Sequence, residues 1–164
     1  MSVKTIEQLF VEELKDLYSA ENQIIKALPK MAKAATSQEL RNALESHLKE
    51  TEGQVKRLDR VFNILTLNPA SKTCEGIKGV LEEGSRMLHE TEAGDVRDMA
   101  IISGGQRVEH YEMAAYGTAR SYAKRLEKAQ IAQLLEETLE EEKAADSKLT
   151  EVSEQVNRHA LRAA

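Results

Sequence analysis

Glutamates recur in this sequence where an apolar side chain is expected. Leu14, Leu17, Ile24 and Leu28 follow the three- and four-residue spacing of one helix face, and Glu21 occupies the position between them. Ala43, His47, Gln54 and Val61 form a second such line, which passes through Glu50. Glu109 and Glu112 share a face with Gly105, Tyr116 and Ala119, while Glu142 falls in line with Leu135, Thr138, Ala145 and Leu149, with Asp146 one turn later. An ionised carboxylate facing an apolar interior must be paired, protonated or bound to a cation, because taking it out of water costs several kcal/mol even after relaxation.

Each of these four glutamates sits near the midpoint of its helix. Helices of similar length packed side by side bring their midpoints to one level whichever way they run, so Glu21, Glu50, Glu109 and Glu142 are expected to converge. Four negative charges at one level repel, and two divalent cations would neutralise them. Hard oxygen donors suit iron first and manganese second, although such sites also accept zinc. The expectation is therefore a two-metal carboxylate centre, with His47, Gln54, Glu112 and Asp146 one turn away to complete the ligand shells. The known bundle pattern for two such metals has one Glu on each of two helices and a Glu-x-x-His on each of the other two. Here Gly53 and Ala145 stand where those histidines belong. Taken singly, each glutamate reads first as a solvated residue on a helix whose phase is off by one position, and His47 first as a hydrogen-bonded core histidine; the coincidence of the glutamates at four midpoints favours metal.

The elements that must carry these residues are all helices. A first helix is expected over 5–35, with Pro29 kinking it or ending its regular part. Ser37 is a candidate N-cap for a second, with Leu40, Leu44, Leu48, Val55, Leu58, Phe62 and Leu65 inward, ending before Asn68-Pro69. The short link between them makes the pair antiparallel. Gly76, Gly79 and Gly84 interrupt a weaker apolar pattern, read as a short crossover helix over 73–90. Two more long helices are expected over 95–126 and 128–156. Two hairpins joined by one long connection make an all-α, ferritin-like four-helix bundle whose crossover contains an extra short helix, one domain over residues 1–164. Leu48-Lys49-Glu50 and Leu58 echo Leu139-Glu140-Glu141 and Leu149, which leaves Glu141 and Glu142 as rival counterparts of Glu50.

Composition agrees. Hydrophobic residues make up 41%, charged residues 31% and aromatics only 4%, with eight Gly and two Pro, a poor set for sheets and tight turns. The net charge of −5 argues against a nucleic-acid partner, and the basic tail Arg158, His159 and Arg162 reads as a solvated helix end. No apolar run approaches the ~18 residues of a membrane span. The opening MSVKTIEQLF lacks the basic start and apolar stretch of a signal peptide, so a cytoplasmic location is expected, with no membrane partner. The lone Cys74 fits a reducing compartment and forms no internal disulfide. Neither a nucleophile triad nor a Gly-rich phosphate loop is present. Tyr18, Tyr111 and Tyr116 read first as core tyrosines with bonded hydroxyls, and second as groups near a redox metal. His110 points away from the face of Glu109, and His89 and His159 read as solvent residues.

At Tyr18-Ser19-Ala20-Glu21, His47-Leu48-Lys49-Glu50-Thr51, Val108-Glu109-His110-Tyr111-Glu112 with Tyr116-Gly117-Thr118, and the run 137–146 from Glu137 to Asp146, the chain resembles the YciF/YciE-like family of bacterial stress-associated proteins. The resemblance covers nearly the whole chain in order. It implies a dimeric ferritin-like bundle with a two-metal centre, and leaves the activity open. The leading reading is a di-metal, di-iron first, protein of bacterial stress response, whose reaction class would be oxidation of ferrous iron by oxygen or peroxide. A metal-free structural or interaction bundle, whose polar layer fixes register and dimerisation, competes with it. An oxygen-activating enzyme with an organic substrate is a third. A homodimer is expected because the crossover helix, laid across the outside of a filled bundle, keeps a second apolar side.

Overall fold

The computed structural model describes residues 2–69 and 72–160. Five helices follow one another: α1 (Ile6–Ala34), α2 (Gln38–Ile64), α3 (Glu75–Glu90), α4 (Asp95–Arg125) and α5 (Ala129–Ala160). The expected boundaries hold to within a few residues. The last helix runs on past Val156, where its core-facing line ends. Of the basic tail, Arg158 is exposed, and Arg162 and the His159 side chain lie outside the described residues.

Caps explain where the helices begin. The Thr5 hydroxyl accepts from the Gln8 amide at 3.2 Å, and the Ser37 hydroxyl from the Leu40 amide at 3.3 Å. The Ser37 turn is also held from outside: Asp98 on α4, fully buried, accepts the Thr36 and Ser37 amides at 2.7 and 2.6 Å. That carboxylate thus takes two backbone donors that the tight α1–α2 link leaves without helical partners. Two helices end on a left-handed residue that is not glycine, Thr66 and Glu127, both with φ near 56°. Each end is closed by a six-to-one bond, Leu67 to Phe62 and Lys128 to Ala123, both at 2.9 Å. Pro29 does not end α1. It lies on the exposed side, where the carbonyl it leaves unpaired can turn to water, and the helix continues to Ala34.

The two hairpins, α1–α2 and α4–α5, pack so that α1 meets α4 and α2 meets α5, giving the order α1, α2, α5, α4 around the bundle. The crossover helix α3 lies outside, along α4 and α1. Its start is tied to α1: the Cys74 amide donates to Ser19 Oγ at 2.9 Å, and Gln23 donates to the Cys74 carbonyl at 3.2 Å. Tyr111 passes so close to Gly76 that a Cβ there would stand 2.7 Å from its hydroxyl, which makes glycine the residue that lets α3 seat on α4. The interior is two apolar clusters. Phe10, Leu14, Leu17, Leu58, Phe62, Tyr116, Ile131 and Leu135 fill one end; Ile24, Leu28, Leu40, Leu44, Ile101, Ile102, Leu149 and Val152 fill the other. Every main helix crosses from one cluster to the other through polar residues.

Candidate metal centre

That crossing is a buried polar layer. Glu21 comes from α1, His47, Thr51 and Gln54 from α2, Glu109 and Glu112 from α4, and Glu142 from α5; all are buried, Glu21, Glu112 and Glu142 completely. Ligand atoms of His47, Glu109, Glu112 and Glu142 lie within 4.8 Å of one another. Nε2 of His47 stands 3.2 Å from Glu109 Oε1 and 3.9 Å from Glu142 Oε2.

Protein partners satisfy only part of this layer. Tyr116 donates its hydroxyl to Glu21 Oε1. Gln54 Nε2 donates to Glu142 Oε1 at 2.5 Å and to Glu141 Oε2 at 3.1 Å. Thr51 closes its hydroxyl onto the His47 carbonyl at 2.8 Å. Left buried without a hydrogen-bond partner are Glu21 Oε2, both ring nitrogens of His47, Gln54 Oε1, Glu109 Oε2, both oxygens of Glu112, and Glu142 Oε2. Buried polar atoms are normally bonded, so a concentration of orphaned acceptors on residues from all four helices marks a place that asks for a cation or protons.

The titration behaviour has the same cause. Burial, then the charge of Glu142, holds the Glu21 carboxyl well above the usual range, against the opposing hydrogen bond from Tyr116. Burial and the adjacent Glu142 raise Glu109, and burial with the charges of Glu21, Glu142 and Glu109 raises Glu112. The Tyr116 phenol is likewise pushed up, by burial and the Glu21 and Glu112 charges. Without a cation these carboxyls retain protons at pH values where exposed glutamates have lost theirs.

Glu21, Glu109 and Glu142 meet in the layer as expected, together with Glu112 and His47. Glu50 does not. Its side chain is 47% exposed, with Oε2 3.6 Å from His47 Nδ1 on the outer side of that ring. The buried line of α2 runs Leu40, Leu44, His47, Thr51, Gln54, Leu58; a three-residue step from His47 leads to the rim of the arc and a four-residue step to Thr51, inside it. Asp146 is also displaced. It is partly exposed and turned to Gln106 and His110, both at 3.3 Å, so it stays at the surface one turn beyond Glu142. The choice between Glu141 and Glu142 resolves in favour of Glu142 for the interior. Arg57 binds both oxygens of Glu141, at 2.7 and 2.9 Å, and Thr138 at 2.7 Å. Burial acts to raise the Glu141 pKa, but its bonds to Arg57 and Gln54 outweigh this and lower it. Neither Thr51 nor Arg57 is among the site residues the sequence singles out. Thr51 was detectable by its place in the three-four line; Arg57 carried no signal of its own.

A second, partly buried contact joins Cys74 Sγ to the hydroxyl of Tyr111, which stands between Glu109 and Glu112 in the sequence, at 2.9 Å and is part of the seat of α3. Cys74 is a buried free thiol. Tyr18, partly buried, packs edge-on against the core residue Phe62, with ring centroids 5.8 Å apart.

The family model described as a domain of unknown function, DUF892, matches residues 5–161. The chain belongs to the DUF892 family. It is 44% identical over 154 residues to Protein YciF of Escherichia coli, covering 93% of each chain. The crystal structure described as the E. coli stress protein YciF superposes with a TM-score of 0.92 at 43% identity, covering 95% of this chain and 99% of that one. YcfI of Rhodopseudomonas palustris, provisionally described as a structural protein, superposes at 0.89 with 43% identity, over 91% and 95% of the two chains. A Xanthomonas campestris protein at 20% identity shares the fold, with a TM-score of 0.77 over 96% and 97%. The all-α bundle with its crossover helix is thus the fold of this DUF892 chain. Among the described residues, no helix is long and apolar enough to cross a membrane.

Proposed function

We propose that the polar layer binds two divalent metal ions, iron first and manganese second, and that this DUF892 protein is a di-metal carboxylate protein of bacterial stress response, working in the cytoplasm. The orphaned acceptors of Glu21, His47, Glu109, Glu112 and Glu142 carry this reading. Oxygen donors with one imidazole fit iron or manganese better than a soft-ligand metal. Glu109, Glu112, Glu142 and His47 would hold one ion and share with Glu21 the holding of a second. When bound, such a pair supplies two redox centres suited to oxidising ferrous iron with oxygen or peroxide.

The surrounding residues fix the ligands. Tyr116 holds one oxygen of Glu21 and leaves the other free; Gln54 does the same for Glu142. Arg57 holds Glu141 at the surface, so that it does not add a further charge to the interior. The raised phenol pKa of Tyr116 keeps its proton in place as the donor to Glu21. The bonds of Tyr116 and Gln54 also exist without a cation, and the R. palustris relative is described as structural. That favours, as the second reading, a metal-free bundle whose polar layer sets helix register.

Metal analysis of protein purified without chelator separates the two. The expected result is about two equivalents of iron or manganese per chain, the number that balances four carboxylates; protein that is metal-free as isolated and takes up neither ion overturns the reading. A homodimer belongs to the same proposal. Met87 near the end of α3, and Val96 and Met99 at the start of α4, are exposed apolar side chains that a two-fold partner would cover.

A further inference from the structure

A buried metal layer needs a way in, and two clefts of comparable size compete for that role. One, of about 510 Å³, lies between α2 and α5 and has His47 and Glu109 in its wall, with Glu39 and Glu50 among the residues nearer solvent. His47 is 7% exposed and Glu109 3%; both ring nitrogens and Glu109 Oε2 lack partners. Unpartnered ligand atoms therefore line the inner end of this cleft. Lys148, on its α5 side, is engaged with Glu151 at 3.1 Å, which leaves the character of the mouth acidic. The other cleft, about 690 Å³, lies among α1, α3 and α4; Ala27, Met31 and Leu81 make it apolar, and with Lys78 engaged by Glu75 at 3.2 Å, Lys26, Lys30 and Arg97 still outweigh Glu82 and make its charge positive. A hydrated cation is drawn to the first and repelled by the second.

We infer that the α2–α5 cleft is the entry route for divalent cations, with Glu50 as a surface relay that passes the ion from solvent to His47 and Glu109. Glu50 suits the task because it is exposed on one side and stands 3.6 Å from His47 Nδ1 on the other. The inference rests on the two-metal reading and adds to it the direction and charge of access. It also gives Glu50 a role other than that of a resident ligand.

The test is the rate of uptake. Metal-free protein is mixed with ferrous iron in the absence of oxygen, and free iron is read at timed intervals with a chromogenic chelator. Ala145→Phe fills the cleft from its α5 wall, Glu50→Lys reverses the charge at its mouth without touching the core, and Ala100→Phe fills the cationic cleft as a control. The expected outcome is that all variants reach the wild-type amount of bound iron, while Ala145→Phe and Glu50→Lys approach it about tenfold more slowly and Ala100→Phe at the wild-type rate. Glu50→Lys stands alone if Ala145→Phe does not fold. Wild-type rates in both cleft variants, or slowing by Ala100→Phe alone, overturn the inference while the metal centre stands. Wild-type protein that takes up no iron removes the metal reading itself.

Discussion

Glu112 is fully buried, and neither of its carboxylate oxygens has a hydrogen-bond partner. In metal-free protein it is therefore a cost, and Glu112→Leu, similar in volume and apolar, should relieve it. Replacing buried ionic groups by packed apolar ones stabilises by about 1–4 kcal/mol where partners are poor. For a urea m-value of about 1–3 kcal/mol per molar, this moves the unfolding midpoint upward by on the order of 1 M. Glu21→Leu is the internal control. It gains the same relief but strands the buried Tyr116 hydroxyl, a loss of about 1–3 kcal/mol, so its net change should be near zero, and adding Tyr116→Phe should restore the gain. The sign with pH follows from the raised folded-state pKa of Glu112. The folded carboxyl keeps its proton above the ordinary carboxyl range, so wild-type stability falls as pH rises from that range through the raised value. The advantage of Glu112→Leu should accordingly be large at about pH 8 and shrink toward about pH 4. Chelator-treated proteins compared by urea denaturation followed by circular dichroism decide the matter. A Glu112→Leu variant no more stable than wild type at the higher pH would mean that the layer is satisfied without a cation.

Metal affinity should fall as pH falls, because Glu21, Glu109 and Glu112 hold their protons above the ordinary range; binding titrated in weak buffer should release protons, and a pH-independent affinity would count against these ligands. Glu109→Gln and Glu142→Gln should lower the amount of metal bound at equilibrium, whereas Glu50→Gln should leave it unchanged, as metal analysis of the three will show. Asp98→Ala should cost about 2 kcal/mol in urea unfolding, through loss of the carboxylate that accepts the Thr36 and Ser37 amides, with no effect on metal content. Light scattering should give twice the 18.3 kDa chain mass, and a monomer at micromolar concentration would refute the dimer.

The helical frame was legible because its signals are local: apolar spacing, the Ser37 cap and the sparse Gly and Pro of the long helices. The lengths of α1, α2, α4 and α5 also put Glu21, Glu109, Glu112 and Glu142 in the polar layer, since a residue near mid-helix is near mid-bundle in either direction. Phase at the edge of a buried arc was not legible. Glu50 and Thr51 differ by one position, and only packing against α5 decides which of them is inside. Asp146 failed for a related reason: its turn of α5 meets Gln106 and His110 at the surface. The Asp98 clamp and the Arg57 clamp join residues 61 or more positions apart and have no local pattern to betray them. Pro29 does not stop α1 because it lies on the exposed side, where the carbonyl it strands can turn to water.

Anomalous diffraction from crystals of the protein as isolated, recorded on either side of the iron and manganese absorption edges, tests the metal centre most directly. Two peaks bounded by Glu21, His47, Glu109, Glu112 and Glu142, with Glu50 and Asp146 outside them, are the expected result. A layer with no anomalous density even after soaking in either ion, its carboxyls hydrogen-bonded to one another or to water, would contradict it and leave the structural bundle as the function of the fold.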